Sequence, residues 1–240
     1  MPLLRRGLLA TAPAAALSLL TTPASAATTD LAVSCDTAAA SAVIRAGDAY
    51  RSRSGVRIRV VPTSPGLLLP QLEREIQNDI VLTQIGVLDQ AEKEGLIQPG
   101  GRVGPWRNRL VIATARDTDG PEGSFAVTDP TPASGIDGHA ILQRLDAMPK
   151  TVFGVINTGA VAWLLTNGDA QQGLLHQTEV ANDGRLKSVS PVPDDAWPPI
   201  LYAATVTKLA RRGDPAAFVA FLGSPDGQAV LAGAGLESAS

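Results

Sequence analysis

Residues that perform covalent or acid–base chemistry are scarce in this chain: two histidines, His139 and His176, and one cysteine, Cys35. Catalysis through a nucleophile needs a base within hydrogen-bonding reach and a third group to orient it. No G-x-S-x-G elbow, H-E-x-x-H helix, paired-cysteine metal motif or Walker-type loop occurs to supply one. His139 lies within the helical pattern "GIDGHAILQRL", where it reads as a surface or internally satisfied histidine. Asp194-Asp195 falls in a proline-rich loop and reads as a solvated turn. Cys35 has no second cysteine for an internal disulfide and reads as a buried, inert thiol near a strand end. These residues do not build an enzyme.

What does recur is a strand that ends in small polar residues with a helix starting directly behind it. In "SCDTAA", Asp36 or Thr37 can cap the following helix. In "VVPTSPG", Thr63 or Ser64 precedes Pro65, and proline is favoured at the first helical position. In "DPTPASGIDG", Thr131 or Ser134 precedes a third helix, and Asn157 stands before a fourth that begins at Thr158. Each alone is an ordinary N-cap. Four of them facing one cleft would present unpaired N–H groups and about half a positive charge each, which suits an anion without any lysine or arginine.

The elements that must position these residues alternate regularly. Strands are expected at Leu31 to Ser34, Val56 to Val61 and Ile80 to Leu82, with helices at Ala38 to Arg53, Leu67 to Gln77 and Val87 to Glu94. Strands separated by helices at this spacing predict parallel βαβ units, an α/β fold with binding sites at the carboxyl ends of the strands. "RNRLVIATA" (Arg107 to Ala115) reads as a long apolar strand crossing between lobes. A second series follows: a strand at Ser124 to Val127, helices at Gly135 to Ala147 and Thr158 to Leu165, and a strand at Gly173 to Leu175. The proline-rich "SPVPDDAWPP" leads to a second crossing strand, Ile200 to Val206, and helices at Pro215 to Leu222 and Asp226 to Leu231. The expectation is a two-lobed protein. Residues 27–108 with 203–240 form one lobe and residues 109–202 the other, with a cleft between them.

Composition narrows the classes. Of the 240 residues 45% are hydrophobic and 18% charged, which is globular. A formal net charge of −3 argues against nucleic acid as a partner, and 4% aromatics argue against a site of stacked rings. The first 26 residues read as an export signal: Arg5 and Arg6, an apolar stretch from Gly7 to Leu20, and a small-residue cleavage site at Ala24-Ser25-Ala26. Arg5-Arg6 also resembles a twin-arginine signal weakly. No later stretch approaches the roughly 18 apolar residues of a membrane span. The expected location is the periplasm, after cleavage behind Ala26.

Taken in order, "LAVSCDTAAASAVIRAGDAYRSRSGVRIRV", "SPGLLLPQLEREIQNDIVL", "RNRLVIA", "VTDPTPASGIDGHAILQRL", "NTGAVAWLLTNGDAQQGLLHQTEVA" and "AAFVAFLGSPDGQAVLAGAGL" resemble the periplasmic molybdate-binding proteins of ABC transporters. The resemblance is collinear along the whole chain after the export segment. It implies a type II periplasmic-binding-protein fold: each lobe a mostly parallel sheet flanked by helices, the two joined by two crossing strands. It also implies capture of a small ligand, a molybdate-type oxyanion above all, for an ABC permease by a monomer with no cofactor and no free metal cation. A small organic or polar ligand, or a role as sensor or accessory of another exported protein, fits the same fold.

That family holds its oxyanion with hydroxyls, backbone amides and a tyrosine. Carried over by position, the first hydroxyl falls at Ala38, with Thr37 beside it. The second falls at Pro65, flanked by Ser64 and Gly66. Backbone donors fall near Ser134 and Asn157, and the tyrosine position is His176. The family's Gly-Ala-Pro-Ala-Asp turn is "IQNDI" here, retaining Asp79. Ala38 lacks a hydroxyl and Pro65 an N–H, and each missing charge-assisted bond removes roughly 1.5–3 kcal/mol. Asp36 and Asp137, expected near the cleft, disfavour an anion further.

Overall fold

The computed structural model describes residues 30–76, 78–130, 136–146, 148–198 and 200–239. Residues 1–29, read above as an expected export signal and its flank, and Thr131 and Ser134 lie outside the described residues.

The first sheet is built on β1 (Leu31–Asp36), whose six residues are all buried, as expected for a strand covered on both faces. It pairs in parallel with β2 (Ile58–Thr63) on one side and β3 (Ile80–Gln84) on the other. On the far side of β3 lies the antiparallel β10 (Ile200–Val206), then β4 (Val103–Asn108) and a short edge strand, β11 (Glu237–Ser238). The second sheet repeats the plan. Its β6 (Ser124–Thr128) pairs in parallel with β7 (Thr151–Val155) and β8 (Gln172–His176). Antiparallel β5 (Leu110–Ala115) follows β8, with β9 (Leu186–Pro191) at the edge.

Each parallel strand ends where a helix begins. A 3-10 turn, Thr37–Ala39, leads from β1 into α1 (Ala40–Ser54), which stops at Gly55 in the left-handed conformation, φ 74. α2 (Pro65–Glu73) follows β2, and α3 (Ile85–Lys93) follows β3. In the second lobe α4 (Gly138–Arg144) follows β6, α5 (Thr158–Asn167) follows β7, and α6 (Gln177–Asn182) follows β8. The chain closes with α7 (Pro215–Gly223) and α8 (Pro225–Gly233) against the first sheet.

Three sequence expectations shift. "RNRLVIATA" is not one strand: it divides at Arg109, with β4 in the first sheet and β5 in the second. The helix expected from Leu67 to Gln77 begins two residues earlier, at Pro65, and ends at Glu73, beyond which Glu75 takes a left-handed φ of 54. β7, α6 and β9 carry no strong periodic signal, and the sequence reading passed over all three.

Small residues let the layers approach. Ala39, Ala42, Val43 and Ala46 bring α1 onto a core of Leu31, Val33, Ile80, Leu82, Trp106 and Phe218. The Trp106 indole N–H finds Gln228 Oε1 at 2.9 Å, and Tyr50 meets Phe218 edge-on at 5.1 Å. In the second lobe Ile141 and Leu142 cover one face of the sheet, and Val161 and Leu165 cover the other.

The lobes touch through α6. The Thr178 hydroxyl donates to the Ala38 carbonyl, Asn108 Nδ2 donates to Thr178 Oγ1 at 2.9 Å, and Asn182 Nδ2 donates to the Ala234 carbonyl at 3.0 Å. At the opposite end of the first sheet, fully buried Asp79 accepts the Ala32 N–H at 2.9 Å and the Arg211 N–H at 3.3 Å. One carboxylate thus fixes the start of β1 and the loop after β10. Replacing it by alanine leaves the buried Ala32 N–H unpaired, so Asp79→Ala should lower unfolding free energy by about 1–3 kcal/mol in urea titrations, with Asp79→Asn costing less.

Candidate binding site

A cleft of ≈ 630 Å³ opens between the lobes at the carboxyl ends of the parallel strands. Five helix starts contribute to its wall. The turn before α1 supplies Asp36, Thr37 and Ala38, and α2 supplies Ser64 and Pro65. α3 brings Gln84 and Gly86, α5 brings Asn157, Thr158 and Gly159, and α6 brings His176 and Glu179. Six of the seven residues singled out from the sequence therefore share one surface: Thr37, Ala38, Ser64, Pro65, Asn157 and His176. The seventh, Ser134, lies outside the described residues. No lysine or arginine stands among the described residues of the wall.

The cap at the first helix start is Asp36 and not Thr37. Its Oδ1 accepts the Ala38 N–H at 3.0 Å, and Oδ2 is met only loosely by Gln84 Nε2 at 3.4 Å. Asp36 is 4% exposed. Burial pushes its carboxyl above the ordinary range, and the Ala38 N–H, the His176 charge, Gln84 and Tyr202 only partly offset that. Thr37 is exposed and Ala38 is buried. Ser64 holds the N-cap position of α2 without a capping hydrogen bond, and Pro65 occupies the first turn. Asn157 caps α5 through its Oδ1, which accepts the Ala160 N–H at 2.9 Å.

His176 caps α6 in a reciprocal arrangement with Glu179. Its Nδ1 lies 3.0 Å from Glu179 Oε2, which also accepts the His176 backbone N–H at 2.9 Å. The Thr158 hydroxyl donates to the other Glu179 oxygen and ties the start of α5 to that of α6. Burial pulls the imidazole pKa down, but the hydrogen bond to Glu179 and the charges of Glu179 and Asp36 outweigh it, so His176 titrates above its ordinary value. Glu179 is raised by burial yet held below its ordinary value overall by His176, Thr158 and the His176 N–H. With both groups ionised the pair carries no net charge.

Sequence reasoning missed Gln84, Glu179 and Tyr202. Gln84 is another strand end before a helix, without the small hydroxyl that drew notice to the others. Glu179 stands three residues after His176, the spacing of a capping box, and was legible on that ground. Tyr202 sits inside an apolar strand and reads as core, but it borders the cleft. Its hydroxyl is buried and has no aligned hydrogen bond among the described residues, although Asp36 and Asn108 lie close enough to bias its titration. Burial, reinforced by Asp36 and Cys35, carries that phenol well above its ordinary pKa.

Other candidates fall elsewhere. Asp137 is not on the cleft wall; its carboxylate accepts the Ala140 N–H at 2.9 Å as the cap of α4. His139 pairs with Asp129 at 3.0 Å, Asp194 pairs with Arg107 at 2.6 Å, and Cys35 is a buried free thiol. Among the described residues no cluster of three or more histidine, cysteine or acidic side chains could hold a metal ion, and no helix is long and apolar enough to cross a membrane.

Residues 31–237 match the family model of the bacterial extracellular solute-binding proteins, and the chain belongs to that family. By family it is a solute-binding protein, not an enzyme. No curated protein sequence matches the chain. The periplasmic molybdate-binding protein of Azotobacter vinelandii superimposes with a TM-score of 0.70 at 16% identity, over 88% of this chain and 100% of that one. PEB3 with bound L-phospholactate, a Campylobacter jejuni protein, gives 0.66 at 13% identity over 87% and 100%. AfuA of Actinobacillus pleuropneumoniae, with fructose-6-phosphate, gives 0.59 at 16% identity over 87% and 84%. Identities this low establish a shared fold alone.

The His176–Glu179 pair predicts a defined titration. In NMR titrations Glu179→Gln should lower the His176 pKa, since burial stays while the carboxylate goes. The pair stabilises the fold most between the lowered pKa of Glu179 and the raised pKa of His176. That gain is lost as pH falls through the first and as it rises through the second, so the stability difference between wild type and variant should be bell-shaped in pH.

Proposed function

We propose that this protein is an exported receptor that captures a small tetrahedral oxyanion, molybdate being the type ligand of the resemblance, and presents it to an ABC permease. The single observation that carries the reading is the meeting of five helix starts from both lobes on one cleft wall without a lysine or arginine among its described residues. Helix starts supply N–H donors and partial positive charge, the means of holding an anion with neutral groups. In this reading Ser64 and Thr37 donate hydroxyls, Gly66, Gly86 and Gly159 donate amides, and His176 donates from its protonated ring. Ala38 and Pro65 contribute shape and no hydrogen bond, and Ser134 is the remaining proposed donor. The ligands named for the three superimposed relatives, a molybdate and two phosphate esters, all carry an oxyanion.

Two lobes, the first carrying β1 to β4 with β10 and β11 and the second β5 to β9, close on the ligand about the chain crossings at Arg109 and before Ile200. The protein works in the periplasm as a monomer, and no chemical step follows binding. A second reading, a small organic ligand, is favoured by the apolar side of the cleft, where Ile136, Trp197, Pro198 and Ile200 stand.

Calorimetric titration with molybdate, tungstate, sulfate and phosphate tests the proposal. At least one should bind with 1:1 stoichiometry, and His176→Ala should weaken it by about tenfold, the value of one charge-assisted hydrogen bond. Heatless titrations of a demonstrably folded protein with all four would overturn it.

A further inference from the structure

The helix starts account for only part of the cleft. A bare tetrahedral oxyanion displaces about as much space as three or four waters, on the order of 100 Å³ at ~30 Å³ per water. The cleft measures ≈ 630 Å³. That volume belongs to lobes already joined at α6, where the Thr178 hydroxyl reaches the Ala38 carbonyl and Asn182 reaches the Ala234 carbonyl. It falls in the range of sites that enclose organic molecules, which are lined mostly by apolar groups with a few polar ones to set orientation.

Much of the remaining wall is apolar and held in place. Ile136, Trp197, Pro198 and Ile200 border the cleft, and Trp197 and Ile200 pack against the same second-lobe core that contains Ile136. The segment carrying Trp197 is fixed from both lobes. From α4, Arg144 Nη1 donates to the Ala196 carbonyl at 2.9 Å, and its guanidinium lies 5.8 Å from the centre of the indole. From β4, Arg107 pairs with Asp194 at 2.6 Å, and the Ala196 N–H donates to the Pro193 carbonyl at 3.1 Å. The indole is therefore positioned before any ligand arrives, which lowers the ordering cost of binding. A surface of this kind offers nothing to a small hydrated inorganic ion, but it gains free energy when an apolar group covers it.

We propose that the ligand is an organic oxyanion, a phosphate-ester, phosphonate or sulfonate headgroup carried on an apolar body the size of a ring, and that Trp197 selects for the body. The proposal rests on the oxyanion reading above and narrows its ligand class. The headgroup takes the N–H and hydroxyl donors of the helix starts. The body lies on Trp197, Ile136 and Ile200 and covers apolar surface that an inorganic ion leaves in water. Trp197 touches the body, so it acts on the difference between ligands that share a headgroup. Ser64, at a helix start, meets the headgroup and acts on all of them alike.

Calorimetric titrations at neutral pH test this on the purified wild type, Trp197→Ala and Ser64→Ala. The probes form two series: phosphate, methylphosphonate and phenylphosphonate, and sulfate, methanesulfonate and benzenesulfonate. In at least one series wild type should bind the phenyl member at least about tenfold tighter than the methyl member, the effect of burying about 60 Å² of ring surface. Trp197→Ala should bring that ratio toward unity. Ser64→Ala should weaken methyl and phenyl members alike and keep the ratio. A wild type that binds the inorganic or methyl members as tightly as the phenyl ones overturns the inference while leaving the oxyanion reading intact. So does a Trp197→Ala variant, folded by its melting curve, whose ratio is unchanged. A wild type that binds no member of either series overturns both. Should Trp197→Ala fail to fold, the wild-type ratio alone decides.

Discussion

A carboxylate buried with no lysine or arginine beside it depends on hydrogen bonds and dipoles, and the cleft is organised around one. Asp36 closes β1 and caps the 3-10 turn that leads into α1, so its position is fixed by the fold itself. Its charge is met by dipoles: the Ala38 N–H, the Gln84 amide and the partial positive charge of the helix start behind it. The Tyr202 hydroxyl also stands beside it, and His176, from the other lobe, lies near it but is shared with Glu179. Whatever enters the cleft therefore meets Asp36 on its wall.

The same economy governs the meeting of the lobes. α6 is only six residues long, yet it does two jobs. Its first turn sets His176 and Glu179 on the cleft wall, and its next residues reach across to the first lobe through Thr178 and Asn182. The Ala38 carbonyl that receives the Thr178 hydroxyl belongs to the residue whose N–H caps Asp36. The hydrogen bonds between the lobes thus lie directly beside the ionisable groups of the cleft.

Much of this was legible in the sequence, for identifiable reasons. Buried strands read as continuous apolar runs, so β1, β3 and β10 were found, and the ends of β1 and β3 precede helix starts that line the cleft. β9 escaped because "LKSVSP" is an edge strand with largely exposed side chains, and β7 because "TVFGV" is short and only half buried. The division at Arg109 was hidden because an apolar run looks the same whether it stays in one sheet or passes between two. In the site, residue types drew attention to hydroxyls and amides, and these did line the wall. The charged partners did not stand out: Glu179 looks like an ordinary helical glutamate, and Tyr202 is a core residue on every sequence criterion. Only the fold brings them beside His176 and Asp36.

Backbone amide shifts followed during a phosphate titration test most directly whether a ligand is held by the helix starts of both lobes. The largest changes should fall together, at the same midpoint, on Thr37 to Ala39, Gly66 and Gly86 in the first lobe and on Thr158 and Gly159 in the second. Shifts confined to one lobe, or spread over surface lysines and arginines with no cluster at the cleft, would contradict capture between the lobes.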